Sequence, residues 1–188
     1  MAKRKNGKRG GLSAKRKGSR NERLAVKELS RYLTTLYARR VPGSGAFSHR
    51  FDGGEEPQFM GDIQIRTQRH VTVEYIEVKC RNPMSKPITI ADMDRWRKGR
   101  RILMARHDRG SWLCSMWATV WDDLCPAWEQ WIEVIDRPTR GVELQDICPV
   151  AGGGMHWGAA IYMDAGTLAD ILEAKYGEPE AMQTEVTP

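Results

Sequence analysis

An α/β fold around a small mixed β-sheet flanked by helices is the architecture the sequence predicts, and three observations predict it. Apolar residues recur at helical spacing between positions 20 and 37. Two alternating runs, Asp62–Ile65 and Val71–Lys79, then follow one another across a short turn. Beyond them helix and strand patterns succeed each other up to Gly177, an order that lays helices against a sheet. The 188 residues suffice for a core without disulfides or metals to stabilise it.

The first 20 residues carry nine basic side chains and no acid: Lys3, Arg4, Lys5, Lys8, Arg9, Lys15, Arg16, Lys17 and Arg20. With Gly and Ser between them, residues 1–18 read as a flexible arm whose charges suit a phosphate backbone. Ser19-Arg20-Asn21-Glu22 has the form of a capping box. Ala25, Val26, Leu29, Tyr32, Leu33 and Leu36 then place a helix over about 20–37. A Gly/Pro/Ser-rich loop spans Pro42 to Pro57, and the first two strands turn around Thr67–His70. Pro83 and Pro87 bracket a loop, after which Thr89-x-x-Asp92 opens a short helix that Gly99 closes.

Arg101–Arg106 and Ser111–Met116 read as strands joined by the turn His107-Asp108-Arg109-Gly110. Thr119 caps a helix that Pro126 ends, and Ile132–Ile135 and Ala159–Met163 are late strands. Thr167-x-x-Asp170 caps the last helix, Gly152–Gly154 reads as a flexible turn, and residues 179–188 form a loose tail. The organisation is thus an arm (1–18), a core (19–125), an extension packed on it (126–178) and the tail.

Charge is segregated along the chain. Residues 1–110 hold 27 Lys/Arg against 11 Asp/Glu, while residues 111–188 hold 3 against 13. Such asymmetry points to an anionic partner. No apolar run approaches the roughly 18 residues of a membrane span, and the N-terminus lacks the apolar stretch of a secretory signal. Cys80, Cys114, Cys125 and Cys148 are widely spaced, as expected of reduced thiols in a cytoplasmic protein. With His49, His70, His107 and His156 they form no zinc motif.

The chemistry concentrates in Gly61-Asp62 and Glu77-Val78-Lys79. Alternation puts Glu77 and Lys79 on one face of a strand while Val78 enters the opposite layer. A lone Glu-x-Lys also fits a plain solvated face. Here, however, Asp62 lies one hairpin away and can approach Glu77, and Glu22 lies on the apolar stripe of the first helix. Paired carboxylates need a cation, and their hard oxygens suit Mg²⁺ or Mn²⁺. Lys79 would orient a water or neutralise charge on a scissile phosphate, so these parts suit phosphodiester hydrolysis.

Ser19–Leu29, Arg40-Val-Pro-Gly-Ser-Gly45, Gly61-Asp62 and Ile76–Cys80 together resemble the PD-(D/E)xK nuclease superfamily, and within it archaeal-type Holliday junction resolvases and related phage-encoded nucleases. The likeness covers about residues 17–125. It implies a restriction-endonuclease-like core and a metal-dependent DNA endonuclease, acting on branched DNA as a homodimer. Its alternatives are a restriction-like or nicking nuclease on linear duplex, and a non-catalytic basic DNA-binding protein. It further implies Glu22, Asp62 and Glu77 as metal ligands with the Val78 carbonyl, Lys79 as the catalytic lysine, and Ser44 as a loop serine near the DNA backbone. Gly61 stands where the family usually has Pro, and Asp52, Glu55 or Glu56 could replace an assigned ligand. If the chain is phage-encoded, its compartment is the host cytoplasm.

A second basic cluster, Arg95, Arg97, Lys98, Arg100 and Arg101, is either a solvated helix face or a duplex-backbone contact. Arg81, Arg97 and Arg100 are the candidates for DNA beside the active strand. Seven tryptophans suit core or interface packing, with Trp112, Met116 and Trp117 as the candidate dimer surface.

Overall fold

The computed structural model describes residues 9–42, 61–81, 87–97, 99–107, 110–125, 132–135, 154–157 and 159–177. The elements run α1 (Arg9–Leu29), β1 (Leu36–Arg40), β2 (Ile63–Thr67), β3 (Thr72–Arg81), α2 (Ile90–Arg97), β4 (Ile102–His107), β5 (Leu113–Trp117), α3 (Ala118–Leu124), β6 (Ile132–Ile135), β7 (Gly154–Trp157), β8 (Ala160–Met163) and α4 (Ala165–Tyr176). All eight strands form one mixed sheet in the order β1-β2-β3-β4-β5-β8-β7-β6. The pairs β3/β4 and β6/β7 are parallel, the others antiparallel. The α/β class expected from the sequence holds, in a sheet larger than expected because residues beyond 125 extend it.

Period-two alternation divides the sheet into two apolar layers. Ile63, Ile65, Ile76, Val78, Ile102, Met104, Cys114 and Met116 face α1, α3 and α4, where Ala25, Leu29, Trp121, Leu168 and Leu172 pack against them. Leu103, Ala105, Leu113 and Tyr162 face the other way, under Ile90 and Met93 of α2. Strand β4, covered on both sides, is therefore a continuous apolar run from Ile102 to Ala105.

Several boundaries differ from expectation for identifiable reasons. Helix α1 starts at Arg9, so Ser19 is a helix-interior residue and the arm is helical from that point. It stops at Leu29 rather than near 37, where Arg31 and Tyr32 donate to carbonyls only three residues back. Leu36, counted with the helix by its spacing, is instead a buried residue of β1, a strand the sequence reading lacked. Helix α3 starts after Trp117 with no side-chain cap, so Thr119 is not its cap. Asp164, not Thr167, caps α4, accepting from the Thr167 N–H at 2.7 Å. Gly154, read as part of a turn, opens β7. Thr89 and Asp92 do form the expected reciprocal cap of α2.

Trp112 and Met116 are buried in the main core, and Trp117 packs against both apolar layers. This corrects their reading as a dimer surface: Trp112 and Met116 lie in the interior and Trp117 is half-buried against it. Cys114 and Cys125 are buried free thiols; Cys148 lies outside the described residues. Among the described residues, no helix is long and apolar enough to cross a membrane.

Candidate active site

The hairpin β2–β3 builds the site. Asp62 lies one residue before the first paired position, Ile63 against Ile76, and Glu77 lies one residue after it. Asp62 is tied in three ways. Its N–H donates to the Ile76 carbonyl at 2.9 Å, and its carbonyl accepts from the Val41 N–H at 2.9 Å. Its carboxylate Oδ2 accepts from the Val78 N–H, also at 2.9 Å. The side chain is thereby fixed against the backbone of the Glu-Val-Lys strand. Gly61 makes this approach workable: a Cβ there would lie 2.9 Å from the Ile76 carbonyl oxygen and 3.0 Å from its nitrogen. The close backbone contact explains a glycine at the position where the resembled family has Pro.

Glu77 and Lys79 project from the same side of β3 and form an ion pair through Oε1 and Nζ. The other carboxylate oxygen of Glu77, Oε2, lies 3.2 Å from Arg100 Nε. Only 12 % of the Glu77 side chain is exposed, so two cations compensate a largely desolvated carboxylate. Val78 turns to the core, as expected.

Glu22 is placed differently. It is carried by α1, which packs on the opposite sheet face, and its Oε2 pairs with Arg40 Nε of β1. The structure thus sets Asp62, Glu77 and Lys79 along one hairpin and keeps Glu22 in a separate ion pair. Among the described residues, no group of three or more His, Cys, Asp or Glu is gathered as a metal site. The donor set of Asp62 and Glu77 nevertheless fits a hard divalent cation, which takes one or two carboxylates and completes its shell with water and substrate oxygens. Ser44, Asp52, Glu55 and Glu56 lie outside the described residues, as do Lys3, Arg4, Lys5 and Lys8. Arg9, Lys15 and Arg16 fall on the first turns of α1, where Lys17 and Arg20 are exposed.

The second basic cluster is mostly neutralised. Arg81 bonds Asp92 at 2.7 Å and the Pro87 carbonyl at 3.0 Å, and stacks on Trp96. Arg95 also pairs with Asp92, and Arg101 bridges Glu74 and Asp123. Burial disfavours the charged form of Asp92, but Arg81 and the Thr89 N–H outweigh it and hold the carboxyl below its ordinary range. Arg97 is fully buried: it donates to Ser115 Oγ at 2.5 Å, pairs with Asp94 and lies 4.2 Å from the Trp117 ring centre. Its expected role at DNA is therefore corrected; this guanidinium is part of the interior. Arg40 and Arg100 are the site partners that sequence reasoning missed or misassigned, since separations of 18 and 23 residues leave no local signal. His107 accepts from the Ile88 N–H at 2.9 Å and joins no catalytic pair among the described residues.

Residues 13–98 match the model of a family described as phage putative PDDEXK endonuclease. The matched stretch contains Glu22, Asp62, Glu77 and Lys79, and the resemblance to PD-(D/E)xK nucleases holds over it. Among solved structures, the Archaeoglobus fulgidus Hjc, a Holliday junction resolvase from an archaeal hyperthermophile, is 22% identical, over 52% of this chain and 74% of that one, with a TM-score of 0.29. No curated protein matches the chain.

Proposed function

We propose, from the match of residues 13–98 to a phage endonuclease family, that this chain is a divalent-metal-dependent DNA endonuclease hydrolysing phosphodiester bonds, with branched (four-way) DNA as its substrate. The observation that carries the reading is Asp62 fixed against the strand bearing Glu77 and Lys79. The branched-DNA preference rests on the resolvase-like motif order read from the sequence, and with it go a homodimer and a cytoplasmic site of action.

Asp62 and Glu77 would hold the ion with the Val78 carbonyl, and Glu22 would join them only on leaving its ion pair with Arg40. Bound Mg²⁺, or Mn²⁺ in its place, supplies polarisation of the phosphoryl oxygen and acidifies water. Lys79 Nζ, already oriented by Glu77, donates to the attacking water or to the phosphate as charge develops there. The water oxygen bonds to phosphorus as its proton passes to solvent, the bond to the departing sugar oxygen breaks, and that oxygen takes up a proton from solvent. Ser44 and the basic arm would contact the DNA backbone.

The test is cleavage of a synthetic four-way junction against a linear duplex of the same sequence, with metal supplied or omitted. Metal-dependent cutting of the junction in preference to the duplex is expected. Equal cutting of both would favour a restriction-like or nicking enzyme. Salt-sensitive binding with no cleavage would overturn the catalytic reading in favour of a non-catalytic DNA-binding protein.

A further inference from the structure

We propose that the face of β1–β3 turned away from α1 is the track that carries the DNA backbone into the site, an inference that rests on the nuclease reading above. Strand register sets out two cross-strand rows on this face. Arg39 pairs with Gln64 and Gln64 with Tyr75; Tyr37 pairs with Arg66 and Arg66 with Thr72. Their neighbours Leu36, Ala38, Ile63, Ile65 and Ile76 all point into the opposite, helix-covered layer. Helix α1 packs on β1 and β3, and α4 on β1, from that layer, whereas α2 packs on β4.

The chemistry of the six residues suits phosphate. They comprise two guanidinium groups, two phenols, an amide and a hydroxyl, each able to donate hydrogen bonds, with no carboxylate among them. Of the two acids of β3, Glu77 belongs to the site and Glu74 is buried on the other side, 3.0 Å from Arg101. Arg39 is exposed and has no ion-pair or hydrogen-bond partner among the described residues. Arg66 is held in place by the His70 carbonyl and by the Tyr37 ring, 6.0 Å from its guanidinium carbon. Tyr37 in turn bonds His70 Nδ1, which steadies the β2–β3 turn.

Tyr75, Glu77 and Lys79 follow each other at two-residue steps along one face of β3, each step about 7 Å. A backbone laid over the Arg39–Gln64–Tyr75 row is thus one pleat from the Glu77 carboxylate. The cations beside α2 that the sequence nominated instead face carboxylates. The surface available for phosphate lies across the hairpin from them.

The test is anisotropy of a fluorescein-labelled four-way junction and linear duplex, titrated with the full chain in chelator so that nothing is cut. Arg39→Glu, at an exposed position, is expected to weaken binding about tenfold near 0.1 M salt. The pair Arg39→Ala with Arg66→Ala should reduce the slope of log affinity against log salt by about two. Arg31→Ala, an exposed arginine at the end of α1, should leave both within about twofold. Track variants that bind like the parent, or that change only the mass of the particle in sedimentation, overturn the proposal and leave the nuclease reading standing. A parent chain that binds neither DNA overturns both.

Discussion

Arg100 Nε lies 3.2 Å from Glu77 Oε2, on the opposite carboxylate oxygen from the one that Lys79 holds. A guanidinium in that place compensates the charge a divalent cation would otherwise meet. Under the proposed function the two compete for Glu77. Arg100→Gln is therefore expected to lower the Mg²⁺ concentration for half-maximal cleavage by about fivefold, an effect of the size expected for one partly screened charge. A metal titration of the cleavage rate checks this, and an unchanged or raised requirement would contradict it.

Gly61 is a steric prediction. Three backbone atoms of Ile76 stand 2.9 to 3.1 Å from where a Cβ would be built, and none is a flexible side-chain end. Gly61→Ala should cost about 1–3 kcal/mol, measured by denaturant unfolding, because β3 or the Asp62 segment must shift. It should also loosen the Asp62–Val78 bond and reduce activity more than stability alone accounts for.

Glu173 of α4 ties together the chain segment between α1 and β1. Its Oε1 accepts from Thr34, Thr35 and Leu36 N–H groups at 2.6, 3.0 and 3.1 Å, and Oε2 accepts from the Thr35 hydroxyl. Burial alone would raise its pKa, but the Thr35 hydroxyl and the three N–H donors outweigh it and hold the carboxyl below its ordinary range. A depressed folded-state pKa contributes stability above the unfolded value, near pH 4.5, that is lost as pH falls through the folded one. Glu173→Gln should cost about 1–3 kcal/mol at neutral pH and flatten the acid limb of a stability-against-pH curve.

Arg97 separates an interior role from a DNA-binding one. With its guanidinium fully buried between Ser115, Asp94 and the Trp117 ring, Arg97→Ala should lose about 3 kcal/mol of stability. Thermal unfolding reads this directly. A variant as stable as the parent but weakened only in DNA binding would contradict it.

The part of the fold that is legible in the sequence is local. The hairpin, α2 and β4 follow from alternation, the Thr89–Asp92 cap and a doubly buried apolar run. Asp62 beside the Glu-Val-Lys strand follows from the hairpin itself. The end of α1 did not, because Leu33 and Leu36 keep helical spacing while the N–H groups of Thr34–Leu36 are claimed by Glu173, some 138 residues away. The arginines were illegible for the same reason. Arg40, Arg97 and Arg100 look alike as charge in a sequence, and only the fold decides which meets Glu22, which is buried and which meets Glu77.

The most direct test of the account is single-turnover cleavage of a four-way junction in Mg²⁺ by the parent chain and by Glu77→Gln. The rate should fall by at least about a hundredfold. Binding of the junction in chelator should stay within about threefold, since the cations of the β1–β3 face are untouched. Cleavage by Glu77→Gln at the parent rate would contradict the assignment of this hairpin as the catalytic centre.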